Sequence, residues 1–285
     1  MSWQTLIDVA SLRTSLSDPR WIVIDCRFDL ARPGWGEQAW QKGHIPGARY
    51  AHLDRDLSDL GKRGCGRHPL PEADAFCASL VRWGVTPAHQ VVVYDAGNGM
   101  FAARLWWMLR LLGHRDVAVL DGGLAAWQAE GGELSMETPT HASGEATGSF
   151  DARQILSSEA VADGLAKNTI VLLDARAGER FRGEVEPLDP RAGHIPGAIN
   201  VPFAGNLAPD GRFLAPELLA SRFASALSGR SAQELVHMCG SGVTACHNVL
   251  AMEHAGLHGS RVYAGSWSAW CNDPARPVAT GETEP

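Results

Sequence analysis

The chain has 285 residues, of which 45% are hydrophobic and 20% charged, and its formal net charge is -7. This length exceeds the usual size of one domain, so two domains are expected. The negative charge and the lack of any Lys/Arg-rich run argue against nucleic acid as a partner. No basic segment followed by an apolar core opens the chain, and no apolar run approaches the ~20 residues that span a bilayer. We therefore expect a cytoplasmic protein that does not enter a membrane.

The first half of the chain alternates strands with helices. Three apolar runs predict strands and two amphipathic stretches predict helices: strands at 21–25, 90–94 and 117–120, and helices at 101–112 and 124–130. Strands that alternate with helices form a mostly parallel sheet covered on both faces. The pattern therefore predicts an α/β fold.

The second half repeats the first. Asp25 and Arg27, two residues apart, correspond to Asp174 and Arg176, and the string GHIPGA occurs at 43–48 and again at 193–198. The run VVVY before Asp95 matches LVHM before Cys239, and VLDGGLAAW matches VYAGSWSAW. The paired segments are offset by 143 to 150 residues. A period of this size indicates two copies of one domain, because solenoid repeats are much shorter.

A segment rich in Gly, Ser, Thr and Ala, with one proline and little apolar content, lies between the copies. Such a composition is typical of a linker. We therefore predict an N-terminal domain at residues 1–135, a linker at 136–150 and a C-terminal domain at 151–285.

The most informative stretch is ELVHMCGSGVTACHNVLAMEHAG, at residues 234–256. An apolar run ends at Met238, Cys239 follows at once, and the small residues Gly240, Ser241 and Gly242 come next. From Val243 onward the apolar spacing is helical. The pattern predicts a strand, a tight loop that begins with a cysteine, and a helix.

Free N–H groups at a helix start, together with the helix dipole, favour negative charge. Two glycines allow the loop to curl so that successive N–H groups point inward as an anion nest. A thiol at Cys239 is therefore expected to ionise more easily than a free cysteine. A buried, inert cysteine at a strand end is the structural alternative, and the loop favours the chemical interpretation.

These residues resemble a known family. Two copies of Asp-x-Arg, GHIPGA, a strand–loop–helix unit and G-G/S-x-x-x-W are similar to tandem-domain rhodaneses and 3-mercaptopyruvate sulfurtransferases over nearly the whole chain. The loop CGSGVTA at 239–245 resembles the mercaptopyruvate type, whereas thiosulfate-type enzymes tend to carry basic residues after the cysteine. Asp95 replaces the cysteine in the first copy, as in the non-catalytic N-terminal domain of the family.

The resemblance implies two rhodanese-like domains and a persulfide mechanism. The Cys239 thiolate would take the sulfane sulfur of a small-molecule donor and pass it to a thiol such as thioredoxin or glutathione, or to cyanide. The N–H groups of the loop residues would stabilise the charged sulfur; these residues are Gly240, Ser241, Gly242, Val243 and Thr244. No metal or organic cofactor is implied.

The donor's anionic group needs a cation, and an arginine–carboxylate fork is the expected geometry. The resemblance implies a substrate arginine in a G-R-F/Y context, which Arg180 in GERF matches best. A second family arginine lies in an E-P-R context. This chain has EPLDPR there, so Arg191 is the nearest candidate but lies off the family spacing. Asp174 and Arg176 recur in the first copy, so that pair is expected to hold the fold.

Some family members use a histidine and an aspartate from the first domain. His44 in GHIPG is the matching histidine, but the stretch at 31–44 contains no aspartate and Glu37 is its only acid. Because His194 repeats His44 in the second copy, a structural role for both is favoured. A contribution from His44 to the active site stays as the second interpretation.

Three other interpretations compete with this one. Protein phosphatases with a cysteine–five–arginine loop need an arginine to clamp phosphoryl oxygens, and the sixth and seventh positions after Cys239 are Ala245 and Cys246. Zinc binding by His237, Cys239, Cys246 and His247 lacks the spacing of structural zinc sites. A non-catalytic sulfur carrier or interaction module is disfavoured by the intact Cys239 loop.

The expected function is therefore sulfur transfer from 3-mercaptopyruvate, with thiosulfate:cyanide transfer as the alternative within the class. The neutral residues after Cys239 favour a monoanionic donor, because the thiosulfate dianion would gain more from added positive charge.

Overall fold

The structure is a computed structural model that describes residues 2–282. The chain divides into two compact units. Unit 1 contains the chain up to Asp59, Leu70–Asp151 and Pro209–Phe213; unit 2 contains Leu60–Pro69, Ala152–Ala208 and the residues from Leu214 onward. Both units have a parallel sheet flanked by helices, which confirms the predicted α/β fold.

Unit 1 is built on a five-stranded parallel sheet of order β1-β5-β4-β2-β3. The strands are β1 (Leu6–Ile7), β2 (Trp21–Asp25), β3 (Arg49–Tyr50), β4 (Gln90–Tyr94) and β5 (Val117–Leu120). The helices are α1 (Val9–Ser15), α2 (Trp35–Lys42), α3 (Leu53–Asp56), α4 (Ala73–Arg82), α5 (Ala102–Leu111) and α6 (Gly123–Ala129). The three strands predicted in this half have the predicted bounds, and both helices lie within one residue of theirs.

Unit 2 has a four-stranded parallel sheet of order β7-β6-β8-β9. Its strands are β6 (Val171–Asp174), β7 (Ile199–Asn200), β8 (Leu235–Met238) and β9 (Arg261–Val262). Its helices are α7 (Ser158–Ala166), α8 (Gly178–Phe181), α9 (Pro216–Leu227), α10 (Ala245–His254) and α11 (Ser266–Asn272), with short 3-10 turns at Ala152–Gln154, Phe203–Asn206 and Ala232–Glu234. An isolated parallel bridge from Ile155 to Val262 occupies the place of β1, so the two sheets share one strand order.

The central strands are mostly hydrophobic and are buried along their whole length because helices cover both faces of each sheet. Every residue of β4 and of β8 is buried. Each unit has its own apolar core, which includes Trp127 in unit 1 and Trp267 in unit 2. No helix among the described residues is long and apolar enough to cross a membrane.

A buried ion pair recurs at the end of the second strand of each sheet. Arg27 binds Asp25 at 2.7 Å and donates to the Gly43 carbonyl at 2.7 Å. In unit 2, Arg176 binds Asp174 at 2.7 Å and donates to the Gly193 carbonyl at 2.8 Å. Each arginine thus ties its strand to the GHIPG turn. Breaking a buried pair leaves an uncompensated charge, so these contacts support the expected structural role.

The histidine of each GHIPG motif is a packing residue. His44 has both ring nitrogens at backbone carbonyls, Nδ1 at Trp40 (2.7 Å) and Nε2 at Glu137 (3.1 Å), and its ring stacks on Trp40. His194 repeats this arrangement, with Nδ1 2.8 Å from the Phe181 carbonyl and its ring stacked on Phe181. The interpretation that gave His44 a part in the active site is corrected, because neither of its ring nitrogens is left for a substrate.

Two segments pack differently from what chain order suggests. The segment at 136–150, predicted as a linker, packs along unit 1. The backbone N–H groups of Gly144 and Glu145 donate to the carbonyls of Val81 and Val85. Residues 60–69, inside the predicted N-terminal domain, belong to unit 2. This second departure brings new side chains to the cysteine loop.

Candidate active site

The loop after β8 presents Cys239 at the carboxyl end of the unit 2 sheet. Cys239 is 2% exposed, its N–H donates to Ser266 Oγ at 3.1 Å, and the Gly242 N–H donates to its Sγ at 3.2 Å. Ligands of open parallel sheets bind outside the carboxyl ends of the strands. The predicted strand–loop–helix is therefore present, and Gly240, Ser241, Gly242, Val243 and Thr244 form its loop before α10.

The N-terminal end of α11 is hydrogen-bonded to the backbone of the cysteine loop. Trp267 N–H donates to the Cys239 carbonyl and Ser268 N–H to the Gly240 carbonyl, each at 2.9 Å. In unit 1 the start of α6 makes the same pair of bonds to the carbonyls of Asp95 and Ala96. Because both peptide groups are anchored, the thiol is presented by fixed backbone.

Gly242 permits the curl of the loop. Its φ is +79°, and a Cβ added there would lie 2.4 Å from the Ala264 carbonyl oxygen. The left-handed conformation and this close approach both require glycine.

Gly242→Ala is therefore expected to lower the midpoint of thermal unfolding and to cut sulfur transfer by more than about tenfold, since the Gly242 N–H moves away from Cys239 Sγ. Circular dichroism and steady-state assays measure both effects. Gly256→Ala is the matched control, because Gly256 has a φ of +76° with nothing within 4 Å of an added Cβ. Equal activity losses in the two variants would contradict a special role for Gly242.

The corresponding loop in unit 1 binds a carboxyl group through its backbone N–H groups. Asp95 occupies the cysteine position, and its carboxylate accepts four backbone hydrogen bonds, at 2.9 to 3.2 Å, from Gly97, Gly99, Phe101 and Ala102. The last two donors begin α5, where the helix dipole favours an anion. Unit 1 therefore holds a carboxyl group in a loop of the kind that holds Cys239 in unit 2.

Arg180 lies against the cysteine loop. Its Nη2 binds Glu186 at 2.7 Å and Asp189 at 3.4 Å. Its Nη1 is turned to the loop, since a Cβ built on Gly240 would lie 3.3 Å from that nitrogen. The Arg180 side chain is 19% exposed, whereas Glu186 and Asp189 are 3% exposed. The structure thus brings the partly exposed side chain of Arg180 to the loop.

A second charged group lies behind Arg180. Arg176 also contacts Glu186, at 3.4 Å, and lies over the Trp267 ring. Burial alone would lower the pKa of Arg176, but Asp174, Glu186 and Cys239 together raise it above its ordinary value. Burial raises the pKa of Asp189 against the opposing influence of Arg67 and Arg180. The carboxylates here are desolvated groups held by guanidiniums.

Arg191 does not reach the cysteine loop. Its guanidinium donates to the backbone carbonyls of Trp270, Cys271, Asp273 and Arg276 at 2.6 to 3.4 Å. These carbonyls lie at or beyond the C-terminal end of α11, whereas the loop contacts its N-terminal end, about 10 Å away for a helix of this length. The assignment of Arg191 as a substrate contact is corrected, because it caps that helix end.

Sequence analysis missed two side chains of the segment 60–69, Arg67 and His68. His68 is 4% exposed, and its Nδ1 forms a 2.8 Å hydrogen bond with Ser241 Oγ. The Arg67 guanidinium binds Asp189 at 2.7 Å, and the Arg67 backbone N–H donates to Ser268 Oγ at 2.9 Å. The signal was a glycine-rich basic string, GKRGCGRHP, that fits neither helix nor strand. Its partners are more than 120 residues away along the chain.

No group of three or more His, Cys, Asp or Glu side chains in the described part of the chain is arranged to hold a metal ion. His237 is buried within β8, and burial lowers its pKa to about 3.

Fold and site together define a tandem α/β protein in which one unit has a cysteine at the start of its loop and the other has an aspartate in its place. The sequence profile described as "Rhodanese-like domain" matches residues 8–130 and 157–273. The chain belongs to this family and carries its domain twice, as the sequence predicted.

Full-length relatives define the class of enzyme. A Pseudomonas aeruginosa protein named "Probable 3-mercaptopyruvate sulfurtransferase" is 50% identical over 284 residues, covering 99% of this chain and 100% of its own. A Mycobacterium tuberculosis protein, provisionally named a thiosulfate sulfurtransferase, is 41% identical and covers 98% of both chains. The crystal structure of the Escherichia coli 3-mercaptopyruvate enzyme has a TM-score of 0.80 at 33% identity, over 93% of this chain and 100% of its own. The chain is a sulfurtransferase, as predicted.

Proposed function

We propose that the enzyme moves sulfane sulfur from 3-mercaptopyruvate to a thiol acceptor through a persulfide on Cys239. The thiolate attacks the donor's sulfur, a new S–S bond forms, and the donor's C–S bond breaks with its electron pair leaving on carbon. The products are the Cys239 persulfide and the enolate of pyruvate, which must gain a proton at carbon. An acceptor thiolate then attacks the outer sulfur and regenerates Cys239.

The hydrogen bond between His68 and Ser241 is the observation that carries this choice of donor. The proposed relay requires a protonated His68 that donates from Nδ1 to Ser241 Oγ, while the Ser241 hydroxyl passes its own proton to the enolate carbon. Ser241 lies two residues after Cys239, so its hydroxyl belongs to the loop that binds the reacting sulfur. Thiosulfate leaves as sulfite and needs no proton, so such a relay favours mercaptopyruvate.

The charges around the loop also favour a monoanionic donor. Three guanidiniums face three carboxylates, those of Arg67, Arg176 and Arg180 against Asp174, Glu186 and Asp189. Their formal charges cancel. The sulfur donor therefore meets fixed hydrogen-bond donors in a site with no net positive charge. A dianion loses more hydration on entry and needs more compensating charge than a monoanion.

Thiosulfate:cyanide transfer is the second candidate, supported by the name of the Mycobacterium tuberculosis relative at 41% identity. The acceptor is proposed to be a thiol such as thioredoxin or glutathione, or cyanide, and a cytoplasmic location stays a prediction. A non-catalytic carrier is the third alternative, and it requires a Cys239 that does not turn over.

The test is kcat/KM for mercaptopyruvate and for thiosulfate with cyanide as the common acceptor. We expect mercaptopyruvate to be preferred by at least about a hundredfold, roughly the gain from one general acid. A preference for thiosulfate would reverse the assignment of the donor. Turnover with neither donor would leave the carrier alternative.

A further inference from the structure

Two guanidiniums flank Gly240 in the same way. Arg67 binds Asp189 through Nη1 and turns Nη2 to the loop, while Arg180 binds Asp189 and Glu186 through Nη2 and turns Nη1 to the loop. A Cβ added to Gly240 would lie 3.2 Å from Arg67 Nη2 and 3.3 Å from Arg180 Nη1. Each arginine therefore uses one terminal nitrogen on carboxylates and directs the other to the residue after Cys239.

Both guanidiniums have donors left over. The Nε–H groups of Arg67 and Arg180 are buried and have no acceptor among the described residues. Buried polar groups in native proteins are nearly always hydrogen-bonded, so an orphaned pair beside a reactive cysteine needs an explanation. Each side chain as a whole is partly exposed, at 28% for Arg67 and 19% for Arg180, so part of each is open to solvent although its Nε is not.

Asp189 joins the two arginines. It is 3% exposed, accepts from Arg67 at 2.7 Å and from Arg180 at 3.4 Å, and thus lies between two cations that would otherwise repel each other. A carboxylate between two guanidiniums offsets their repulsion and fixes their separation.

We propose that Arg67 is the second cation of the donor site and that Asp189 is a positioning residue that holds Arg67 and Arg180 at Gly240. The identity of the anion as the donor's carboxylate rests on the proposed function. Arg67 then has the role of second substrate arginine that the sequence suggested for Arg191. Because Gly240 lacks a side chain, the space beside Cys239 is left for the donor and the two arginines.

A purely structural ion pair is the competing explanation, in which Arg67 only fastens the segment 60–69 to unit 2. Arg67→Ala and Arg67→Lys separate the two, with Arg63→Ala as the matched control from the same segment, since Arg63 is exposed. We expect Arg67→Ala to raise the KM for mercaptopyruvate at least about tenfold with a smaller change in kcat, and Arg67→Lys to recover part of it. Arg63→Ala should leave KM within about twofold. An unchanged KM in Arg67→Ala, or an equal rise in Arg63→Ala, overturns the proposal.

A second measurement does not depend on turnover. Iodoacetate and iodoacetamide alkylate the same thiol, but only iodoacetate carries a carboxylate. The ratio of their rate constants at Cys239, followed by peptide mass spectrometry, should fall about tenfold in Arg67→Ala and stay constant in Arg63→Ala. A fold defect would slow or speed both reagents together. If the wild type used neither donor, the proposed function would fail while this ratio still tested the anion site; an unchanged ratio removes Arg67 from it.

Asp189→Ala tests the positioning role. We expect it to raise the KM severalfold where Arg67 is present and to add little where Arg67 is already alanine, because Glu186 still holds Arg180 at 2.7 Å. Additive effects in the double variant would show that Asp189 acts independently of Arg67.

Discussion

Replacing Cys239 by serine is expected to abolish sulfur transfer from either donor. Serine cannot carry a sulfane sulfur, and its hydroxyl is a far weaker nucleophile than a thiolate at neutral pH. The fold should survive, because Sγ accepts one backbone hydrogen bond, from Gly242, that a hydroxyl can also accept. Steady-state assays with both donors measure the loss, and circular dichroism checks the fold.

Cys65→Ser is the matched control, since Cys65 is the exposed cysteine of the described chain. It should keep full turnover. Intact-protein mass spectrometry after donor treatment should show one added sulfur atom in the wild type and in Cys65→Ser, and none in Cys239→Ser. Residual turnover in Cys239→Ser above that of a protein-free reaction would contradict the persulfide mechanism.

Replacing His68 by alanine is expected to lower kcat for mercaptopyruvate by about a hundredfold or more, the usual contribution of a general acid. The same change should affect thiosulfate much less, because sulfite leaves without a proton. The measurement is kcat for each donor at one pH with saturating cyanide. Ser241→Ala should reproduce the pattern, and the double variant should lose little more, because the two groups act as one relay.

An exposed histidine provides the control for His68. His258 has a side chain that is 68% exposed, and His258→Ala should leave kcat for both donors unchanged. If His68→Ala slowed both donors equally, His68 would support the loop and not deliver a proton. No loss with mercaptopyruvate would remove the observation on which the choice of donor rests.

The two units have the same kind of loop, with Asp95 at its start in unit 1 and Cys239 at its start in unit 2. In unit 1 the Asp95 carboxylate holds four loop N–H groups, whereas in unit 2 Cys239 Sγ accepts from Gly242. A persulfide anion is soft, singly charged and lies one bond farther out than a thiolate. The unit 1 loop thus illustrates the kind of charge that the catalytic loop is built to stabilise.

Local patterns were sufficient for most of the fold. Apolar runs predicted β2, β4 and β5 because strands buried on both faces are mostly hydrophobic. The repeated strings predicted two copies because the buried Asp25–Arg27 and Asp174–Arg176 pairs and the stacked histidines impose the same residues at the same places. Two-residue strands such as β7 were missed, because so short a run has no period to detect.

The sequence by itself determined the fold, the tandem arrangement and the place of Cys239, since each depends on neighbours within one strand, turn or helix. Arg180 was found because it lies in a local motif. Only the tertiary structure places Arg67 and His68 at the cysteine loop, because their partners Asp189 and Ser241 lie 122 and 173 residues away along the chain. The corrections to His44 and Arg191 have the same cause, because a side chain's role follows from the atoms it contacts. Backbone carbonyls occupy the nitrogens of both residues, and all of these carbonyls except that of Trp40 are distant in sequence.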